Sequence, residues 1–296
     1  MMNNKGCNLC PRKCNIDRNE HIGYCKAGND IKIAKAFLHM WEEPCISGEN
    51  GSGTIFFSHC NLGCVFCQNY EVSHNGFGKT VTIDRLAEIM LELQTSKANN
   101  INLVTPTPYI KQIAEAIGQA RKMGLKLPVI YNSSGYESVE ALKTLEGLID
   151  VYLPDLKYFD NKYGVKYSNT FEYFNFASKA VLEMLRQVGV PQFEDGLLKR
   201  GLMIRHMMLP GLLFDTKKII DWVIENLPEE VYLNIMCQYT PMGNAANYPE
   251  INKRLNKKHY EAVIDYAVEN GIRNGFFQDF DSSSAEYTPK FDFEGV

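Results

Sequence analysis

Residues 54–67 read Thr54-Ile-Phe-Phe-Ser-His-Cys60-Asn-Leu-Gly-Cys64-Val-Phe-Cys67. The first five residues are rich in β-branched and aromatic side chains, which is typical of a buried strand. Three cysteines follow this strand directly with the spacing C-x3-C-x2-C, and Phe66 precedes the last of them. The sequence therefore predicts three thiols on one loop at the end of a strand.

Three thiolates on one short loop can hold three irons of a [4Fe–4S] cluster, because thiolates are the usual ligands of such clusters. A fourth cysteine nearby would complete the ligand set and give an electron carrier, whereas its absence leaves one iron open to another ligand. We therefore interpret Cys60, Cys64 and Cys67 as ligands of a cluster with an open iron. The alternatives are three buried free thiols or a structural zinc site whose fourth ligand is His59 or His74.

The chain as a whole has the composition of a globular protein. It contains 296 residues, of which 45% are hydrophobic and 22% charged, so it can bury a sizeable core. The formal net charge of −4 gives no reason to expect binding to nucleic acid. No apolar run approaches the roughly 18 residues of a membrane span, and the first residues lack the apolar stretch of a secretory signal. We therefore expect a cytoplasmic protein that binds neither nucleic acid nor membrane.

Outward from the cysteine loop, apolar strands alternate with amphipathic helices. One helix is marked by an apolar stripe for which Thr82 is a suitable N-cap: Leu86, Ile89, Met90 and Leu93. Strands are predicted at 54–58, 101–105, 128–131, 149–153, 201–209 and 231–236. Six βα units of this kind predict the α/β class, with a parallel sheet covered by helices. In addition, we predict an edge strand at 31–38, a surface loop at 189–196 and a terminal strand at 275–280.

A second group of cysteines lies near the N-terminus. Four thiols fall within the first 25 residues: Cys7, Cys10, Cys14 and Cys25. They can close either a zinc site or a second [4Fe–4S] cluster, and the spacing does not separate the two. We predict that residues 1–45 form a small cysteine-rich cap organised by this metal or cluster, and that residues 46–296 form the main domain. The remaining cysteines, Cys45 and Cys237, are interpreted as buried thiols.

The motif C-x3-C-x-aromatic-C after a first core strand resembles that of the radical S-adenosylmethionine (radical SAM) superfamily. The resemblance implies a partial (βα)6 TIM-like barrel in which S-adenosylmethionine binds the open iron through its amino and carboxylate groups. It also implies that one electron, from a flavodoxin- or ferredoxin-like donor, cleaves the sulfonium. The resulting 5′-deoxyadenosyl radical would then abstract hydrogen from a substrate, while the protein positions the cofactor and excludes competing reactions.

Almost the whole chain is similar to the pyruvate formate-lyase activating enzyme-like proteins, an uncharacterised iron–sulfur group. The similarity runs through CNLCPRKC, EEPCISGEN, NINLVTPTPY, YNSSGYE, YLPDLKY, RHMMLPG and QYTPM. The last five of these segments lie at the ends of predicted strands, where a βα barrel builds its active site. The similarity implies an activase that installs a glycyl radical on a partner enzyme.

The same similarity provides candidate cofactor contacts. They are Phe66, Thr105, Asn132, Ser134, Asp155, Lys157, Arg205 and His206. Asp155 and Lys157 match the Asp-Leu-Lys sequence of activating enzymes, in which the pair lies near the methionyl carboxylate and the substrate loop. Because Arg205 and His206 are neighbours on one strand, their side chains point to opposite faces, and at most one enters the barrel. No general acid, base or nucleophile is identified from the sequence.

Two other functions are considered. Thr105 and Thr107 stand where activating enzymes carry a Gly-Gly-Glu run that receives the amino group of the cofactor. This departure, together with the cap, favours radical modification of a small molecule or peptide without a glycyl-radical partner. The third possibility is a non-catalytic iron–sulfur electron carrier or a zinc-bound interaction protein, which would need four-cysteine closure at both cysteine groups.

Overall fold

The computed structural model of the protein describes residues 6–278, 280 and 289–296. Its strands are β1 (Ile31–His39), β2 (Ser52–Phe57), β3 (Lys79–Val81), β4 (Ile101–Val104), β5 (Val129–Ser133), β6 (Val151–Pro154), β7 (Gln192–Glu194), β8 (Leu197–Met207) and β9 (Tyr232–Met236). Its α-helices are α1 (Pro44–Ser47), α2 (Tyr70–Ser73), α3 (Ile83–Thr95), α4 (Ile110–Lys122), α5 (Val139–Lys143), α6 (Asn161–Ser168), α7 (Tyr173–Val188), α8 (Leu213–Asn226) and α9 (Lys257–Glu269). Short 3-10 turns lie at Thr107–Tyr109 and Ala245–Asn247. Within the described part of the chain, no helix is both long and apolar enough to cross a membrane.

The strands form one twisted sheet in the order β3-β1-β2-β4-β5-β6-β8, and both β7 and β9 pair with β8. The six strands β2, β4, β5, β6, β8 and β9 run parallel. No pairing among the described residues joins β9 back to β2, so the barrel is not closed by hydrogen bonds. The prediction of an α/β fold with a partial barrel of six βα units is therefore confirmed.

Helix α3 illustrates how the helices cover the sheet. All four residues of the apolar stripe predicted for it are buried. As predicted, Thr82 is the N-cap, and its Oγ1 accepts a hydrogen bond from the backbone N–H of Arg85 at 3.0 Å. This bond satisfies a backbone donor that the first turn of a helix cannot satisfy internally.

Three local predictions are wrong. Segment 31–38 is not an edge strand, because β1 pairs antiparallel with β2 on one side and with β3 on the other. The predicted loop at 189–196 contains β7, which forms a hairpin with β8. Its turn residues Asp195 and Gly196 both have positive φ, as a two-residue hairpin turn requires. In place of a strand at 275–280, the described residues show a single bridge between Phe277 and Ile235 of β9. The N–H of Phe276 donates to the side chain of Asn234 and not to a backbone carbonyl of β9, so the pairing does not continue.

The inner face of the parallel sheet is apolar at one end and polar at the other. The apolar end is formed by Cys45 and Ile46 of α1 packed against Ile130, Leu153 and Met203. Because side chains alternate along a strand, residues two positions further share the same face. Those positions carry polar side chains: Asn132, Asp155 and Arg205. Helix α1 thus fills the amino end of the barrel. The predicted boundary between residues 45 and 46 falls within this helix, and the division into a cap and a main domain stays a prediction.

Candidate active site

A cavity of about 250 Å³ opens at the carboxyl ends of the parallel strands. Cys64 and Cys67, from the loop after β2, form part of its lining. Polar residues from the ends of three further strands line it as well: Asn132, Asp155, Lys157 and Arg205. This is the edge of a βα barrel at which loops cluster and active sites are built.

The cysteine loop is fixed by contacts with the end of α6. The N–H of Gly63 donates to the carbonyl of Ser168 at 3.0 Å, and a second backbone bond follows two residues later. The Oγ of Ser168 also lies 2.9 Å from the Sγ of Cys64, and the Oγ of Ser73 lies 3.2 Å from the Sγ of Cys67. Each hydroxyl can donate to a sulfur, so the loop is prepared to carry negative charge on its thiolates.

The three thiols share one electrostatic environment. Burial raises the pKa of Cys64 to about 11 and also raises the pKa values of Cys60 and Cys67. The positive charge of Lys157 acts in the opposite direction on all three pKa values. The thiols therefore keep their protons until a metal displaces them. Cys64 and Cys67 line the cavity, whereas Cys60 does not.

Arg205 is the centre of a hydrogen-bonded network beside the cavity. Its Nη1 donates to Oε2 of Glu42 at 3.1 Å and its Nη2 to Oδ1 of Asn132 at 2.7 Å. Its Nε donates to Oδ1 of Asp155 at 3.3 Å. The other carboxylate oxygen of Asp155 accepts from Nζ of Lys157 at 2.7 Å. The network therefore ties the ends of β5, β6 and β8 to the segment that precedes α1.

The charges of this network are mostly buried and mutually compensated. Burial alone would raise the pKa of Asp155, but Lys157 and Arg205 outweigh it and hold this pKa below its usual range. Burial alone would lower the pKa of Lys157, but the negative charge of Asp155 and its hydrogen bond to the ammonium outweigh burial and raise it. Lys157 and Asp155 thus stay ionised. Since an ammonium has three donors and Asp155 takes one, Lys157 can also bind an anionic group in the cavity.

The structure brings together five of the eight predicted cofactor contacts in the cavity: Phe66, Asn132, Asp155, Lys157 and Arg205. Three do not line it: Thr105, Ser134 and His206. As the alternation along β8 predicts, Arg205 enters the barrel and His206 points away. Its Nδ1 donates to the carbonyl of Leu156 at 2.6 Å and its Nε2 accepts from Oγ1 of Thr216 at 2.9 Å. Both ring nitrogens are used in these bonds, so the histidine has a packing role.

The turn after β4 differs from the Gly-Gly-Glu run of activating enzymes. Thr105 has φ of 60°, a left-handed conformation that threonine rarely adopts. Its N–H donates to the carbonyl of Asn132 at 2.9 Å, which holds the turn against β5. Thr107 is buried and donates its hydroxyl to Glu137 at 2.6 Å, and burial raises the pKa of Glu137 to about 7. A carboxyl group is therefore present at this turn, but it lies beneath Thr107 and does not line the cavity.

The cavity also receives residues to which the sequence assigned no role. His39 is the last residue of β1, and Trp41 and Glu42 follow it. Gln68 and Asn69 follow the cysteine motif. Glu42 matters most, because it pairs with an arginine 163 positions away. The one signal in the sequence is a pair of adjacent glutamates before a proline, and no periodicity places that pair inside the barrel.

The four N-terminal cysteines converge on one small cavity of about 20 Å³, as the predicted cap requires: Cys7, Cys10, Cys14 and Cys25. Burial raises the pKa of Cys10 to about 12, so this thiol is protonated unless a metal replaces the proton. Within the described residues, no three His, Cys, Asp or Glu side chains are yet close enough together to hold a single metal ion. A metal or cluster would therefore have to draw the thiols inward, both in the cap and in the cysteine loop after β2.

The cap contacts the cysteine loop directly through Arg12. The Nε of Arg12 donates to the carbonyl of Asn61 at 3.0 Å, and its guanidinium lies 3.6 Å from the ring centre of Tyr24. Asn61 in turn donates its side-chain amide to the carbonyl of Tyr136. The cap is thus joined to the residue that follows Cys60.

A family model described as the Radical SAM superfamily matches residues 54–223, which is more than half of the chain. The chain belongs to the radical SAM superfamily. The superfamily resemblance of the cysteine motif is thereby confirmed. The uncharacterized protein MJ0674 of Methanocaldococcus jannaschii is 32% identical over 274 residues, covering 89% of this chain and 74% of that protein.

Solved structures share the fold of this radical SAM protein. SuiB of Streptococcus suis, bound to S-adenosylmethionine, has 14% identity and a TM-score of 0.51 over 74% of this chain and 48% of SuiB. The FeFe-hydrogenase maturase HydG of Carboxydothermus hydrogenoformans has 12% identity and a TM-score of 0.51 over 79% of this chain and 56% of HydG. The chain spans about half the length of these two proteins, and at such identities the likeness shows the fold alone.

Membership of the superfamily implies a [4Fe–4S] cluster and S-adenosylmethionine, and the residues of the cavity fit both. Thiol groups of Cys64 and Cys67 line it, with serine hydroxyls placed to stabilise them. Lys157, whose side chain is 17% exposed, supplies a partly buried cation for a carboxylate. The donor set and the charges therefore suit the two groups that the family uses.

His206 generates a prediction about the pH dependence of stability. Burial lowers its pKa from 6.5 to about 4, so the unfolded chain takes up a proton below pH 6.5 while the folded chain does not. The contribution of neutral His206 to the free energy of unfolding is fully present above pH 6.5 and is lost as the pH falls toward 4. This residue changes the free energy of unfolding by at most about 1.4 kcal/mol per pH unit. In urea unfolding between pH 4.5 and 7.5, His206→Asn should show a shallower slope than the unsubstituted protein.

The matched control is His259→Asn, since His259 is exposed on α9 and its replacement should leave the slope unchanged. An undiminished slope in His206→Asn would show that His206 is not held neutral in the folded protein.

Proposed function

We propose that this radical SAM protein cleaves S-adenosylmethionine by one-electron reduction and uses the resulting 5′-deoxyadenosyl radical to abstract hydrogen from a substrate. The observation that carries the proposal is that the three-cysteine loop and two partly buried cations meet in one cavity. Cys64 and Cys67 line this cavity together with Lys157 and Arg205. An electron donor of the flavodoxin or ferredoxin class would supply the reducing equivalent.

Each polar residue of the network has a distinct role in this proposal. Cys60, Cys64 and Cys67 would hold three irons and leave the fourth for the cofactor. Lys157 would attract the carboxylate of the cofactor, since an ion pair is strong where water is excluded. Asp155 fixes the direction of the Lys157 ammonium, and its second oxygen is in turn held by Arg205.

Apolar side chains protect the reaction space. Phe66 is buried, and its ring packs edge-on against Tyr239 with 5.8 Å between ring centres. Met207 and Met236 add further apolar surface to the cavity. Such walls exclude water and thereby limit side reactions of a reactive intermediate.

Replacement of Cys64 by alanine tests the proposal, because it removes one of three iron ligands. Anaerobically reconstituted protein that is reduced with dithionite and supplied with S-adenosylmethionine should release 5′-deoxyadenosine and methionine. Cys64→Ala should release neither. The matched control is Cys45→Ala, which alters a buried cysteine that packs on the inner face of the sheet and should retain cleavage.

The absence of cleavage by the unsubstituted protein, when its cluster is shown to be present and reducible, would remove the proposal. Full activity of Cys64→Ala would show that this thiol is not a ligand of the cluster.

For the substrate, we propose a glycyl-radical enzyme as the partner that this protein activates. The proposal is supported by the similarity to activating enzymes, including Asp155 and Lys157, both of which line the cavity. The competing proposal is radical modification of a small molecule or peptide. It is favoured by the turn at Thr105 and Thr107, which has no Gly-Gly-Glu run.

An experiment with a glycyl-radical enzyme from the same genome distinguishes between these two substrates. The reduced protein, mixed with S-adenosylmethionine and with a glycyl-radical enzyme from the same genome, should give the EPR doublet of a glycyl radical on that enzyme. A Gly→Ala variant of the partner at its radical site is the control and should give no doublet. Cleavage of S-adenosylmethionine without a doublet on any such partner would favour the small-molecule or peptide substrate.

We also propose that the four cysteines of the cap bind a metal centre. Their convergence on one cavity supports a bound metal over free thiols. Iron, zinc and acid-labile sulfide should be measured in the unsubstituted protein and in Cys10→Ser. The variant should contain either one zinc less than the unsubstituted protein or less iron and sulfide. The element that is lost identifies the centre as zinc or as an iron–sulfur cluster. An identical metal content in the two proteins would contradict the proposal.

A further inference from the structure

The cavity adjoins a second space that the cluster and cofactor do not account for. We name this space the acidic lobe; its volume is about 140 Å³. Its lining includes Trp41, Glu42, Glu43, Asn234, Gln238 and Gln278. Five residues line both the lobe and the main cavity: Trp41, Glu42, Arg205, Met236 and Gln238. No residue of the cysteine loop lines the lobe, so a group bound there lies away from the iron ligands.

Glu43 has one carboxylate oxygen that is bonded and one that is not. The Oδ1 of Asn234 accepts from the N–H of Phe276 at 3.0 Å, which fixes the orientation of this amide. Its Nδ2 then donates to Oε1 of Glu43 at 2.8 Å. The Oε2 of Glu43 is buried and has no hydrogen-bond partner among the described residues. A buried carboxylate oxygen without a donor is costly, so its retention calls for a ligand or a water that donates to it.

The neighbouring residues point to the same chemistry. Oε1 of Glu42 accepts from Nδ2 of Asn102 at 3.0 Å, while Oδ1 of Asn102 is buried without a partner in the described part of the chain. Asn102 does not line the lobe and contacts it only through Glu42. The unsatisfied atom of a lining residue, Oε2 of Glu43, is an acceptor, so a group that enters here gains most if it carries an N–H donor.

The charges around the lobe favour a cation. Arg205 is already shared between Glu42 and Asp155, and no hydrogen bond joins it to Glu43. Burial raises the pKa of Glu43 and the charge of Glu42 adds to this, while Arg205 opposes it. A further cation would stabilise the ionised form. Trp41 forms another wall, and the face of an indole attracts cations.

We propose that the acidic lobe binds the substrate through an ammonium or guanidinium group that pairs with the carboxylate of Glu43. The inference rests on the proposed function and adds to it the class of substrate, which is an alkylamine or a lysine or arginine side chain of a peptide. The amino group of S-adenosylmethionine is a different group, because it belongs beside the cluster and the lobe has no contact with the cysteine loop.

Calorimetric titration of the reconstituted full-length protein, saturated with S-adenosylmethionine, tests this inference. The probes are n-pentylammonium with n-pentanol as the uncharged match, and the peptide Gly-Gly-Lys-Gly-Gly with its Nε-acetyl-lysine form. The charged member of at least one pair should bind at least about tenfold more tightly than the uncharged member. The pair that shows this difference identifies the source of the amine as a small molecule or a peptide.

Glu43→Gln should weaken binding of the charged probe at least about tenfold, because the new amide presents N–H groups where an acceptor stood. Glu49→Gln is the matched control, since Glu49 is exposed beyond α1 and lines neither space; it should leave the affinity unchanged. Equal binding of charged and uncharged probes by the unsubstituted protein overturns the inference without reference to any variant. A parallel fall in affinity for S-adenosylmethionine in Glu43→Gln also overturns it, because the lobe would then belong to the cofactor.

The same preparation separates this inference from the proposed function. If S-adenosylmethionine is cleaved but no charged probe binds, the acidic lobe is not an amine site and the proposed function stands. If the charged probe binds but a protein with a reducible cluster cleaves no S-adenosylmethionine, the binding assignment stands and the proposed function fails.

Discussion

Asp155 is held between two partly buried cations, and the arrangement of the cavity depends on this one carboxylate. Its two oxygens bind Lys157 and Arg205, and its backbone continues the sheet, because its N–H donates to Ser133 and a bridge joins it to Arg205. Loss of one partner from a fully buried ion pair costs about 3–5 kcal/mol, and the cost is smaller here because these side chains are 16–18% exposed. Without Asp155, Lys157 would lose the group that fixes its direction, and Arg205 would keep only Glu42 and Asn132 as partners.

The residues that precede the first parallel strand complete the barrel. Helix α1 packs Cys45 and Ile46 on the apolar end of the inner face, which places Glu42 and Glu43 next to the polar layer above it. Glu42 then neutralises part of the charge of Arg205. The segment from Trp41 to Ile46 thus packs against the inner face of the open six-stranded barrel. Trp41, Glu42 and Glu43 of this segment form part of the wall of the acidic lobe.

Much of this architecture can be predicted from local pattern, and the rest depends on distant contacts. The six βα units and the opposite directions of Arg205 and His206 follow from periodicities of two and 3.6 residues. The cysteine loop follows from the spacing of its three cysteines. The hairpin at Asp195 and Gly196 also had a local signal, the dipeptide typical of a tight turn. Glu43 had none, because its role depends on Asn234, which is 191 positions away. The left-handed turn at Thr105 was hidden for a different reason, since threonine does not signal that conformation.

We expect S-adenosylmethionine to bind at the iron that the three cysteines leave open. EPR spectroscopy of the anaerobically reduced protein, recorded before and after addition of S-adenosylmethionine, tests this binding. The spectrum of the reduced cluster should change, because the cofactor would become a ligand of one iron, and Cys64→Ala should show no such change. An unchanged spectrum of the unsubstituted protein, with its cluster intact and S-adenosylmethionine in excess, would show that the cofactor does not bind there.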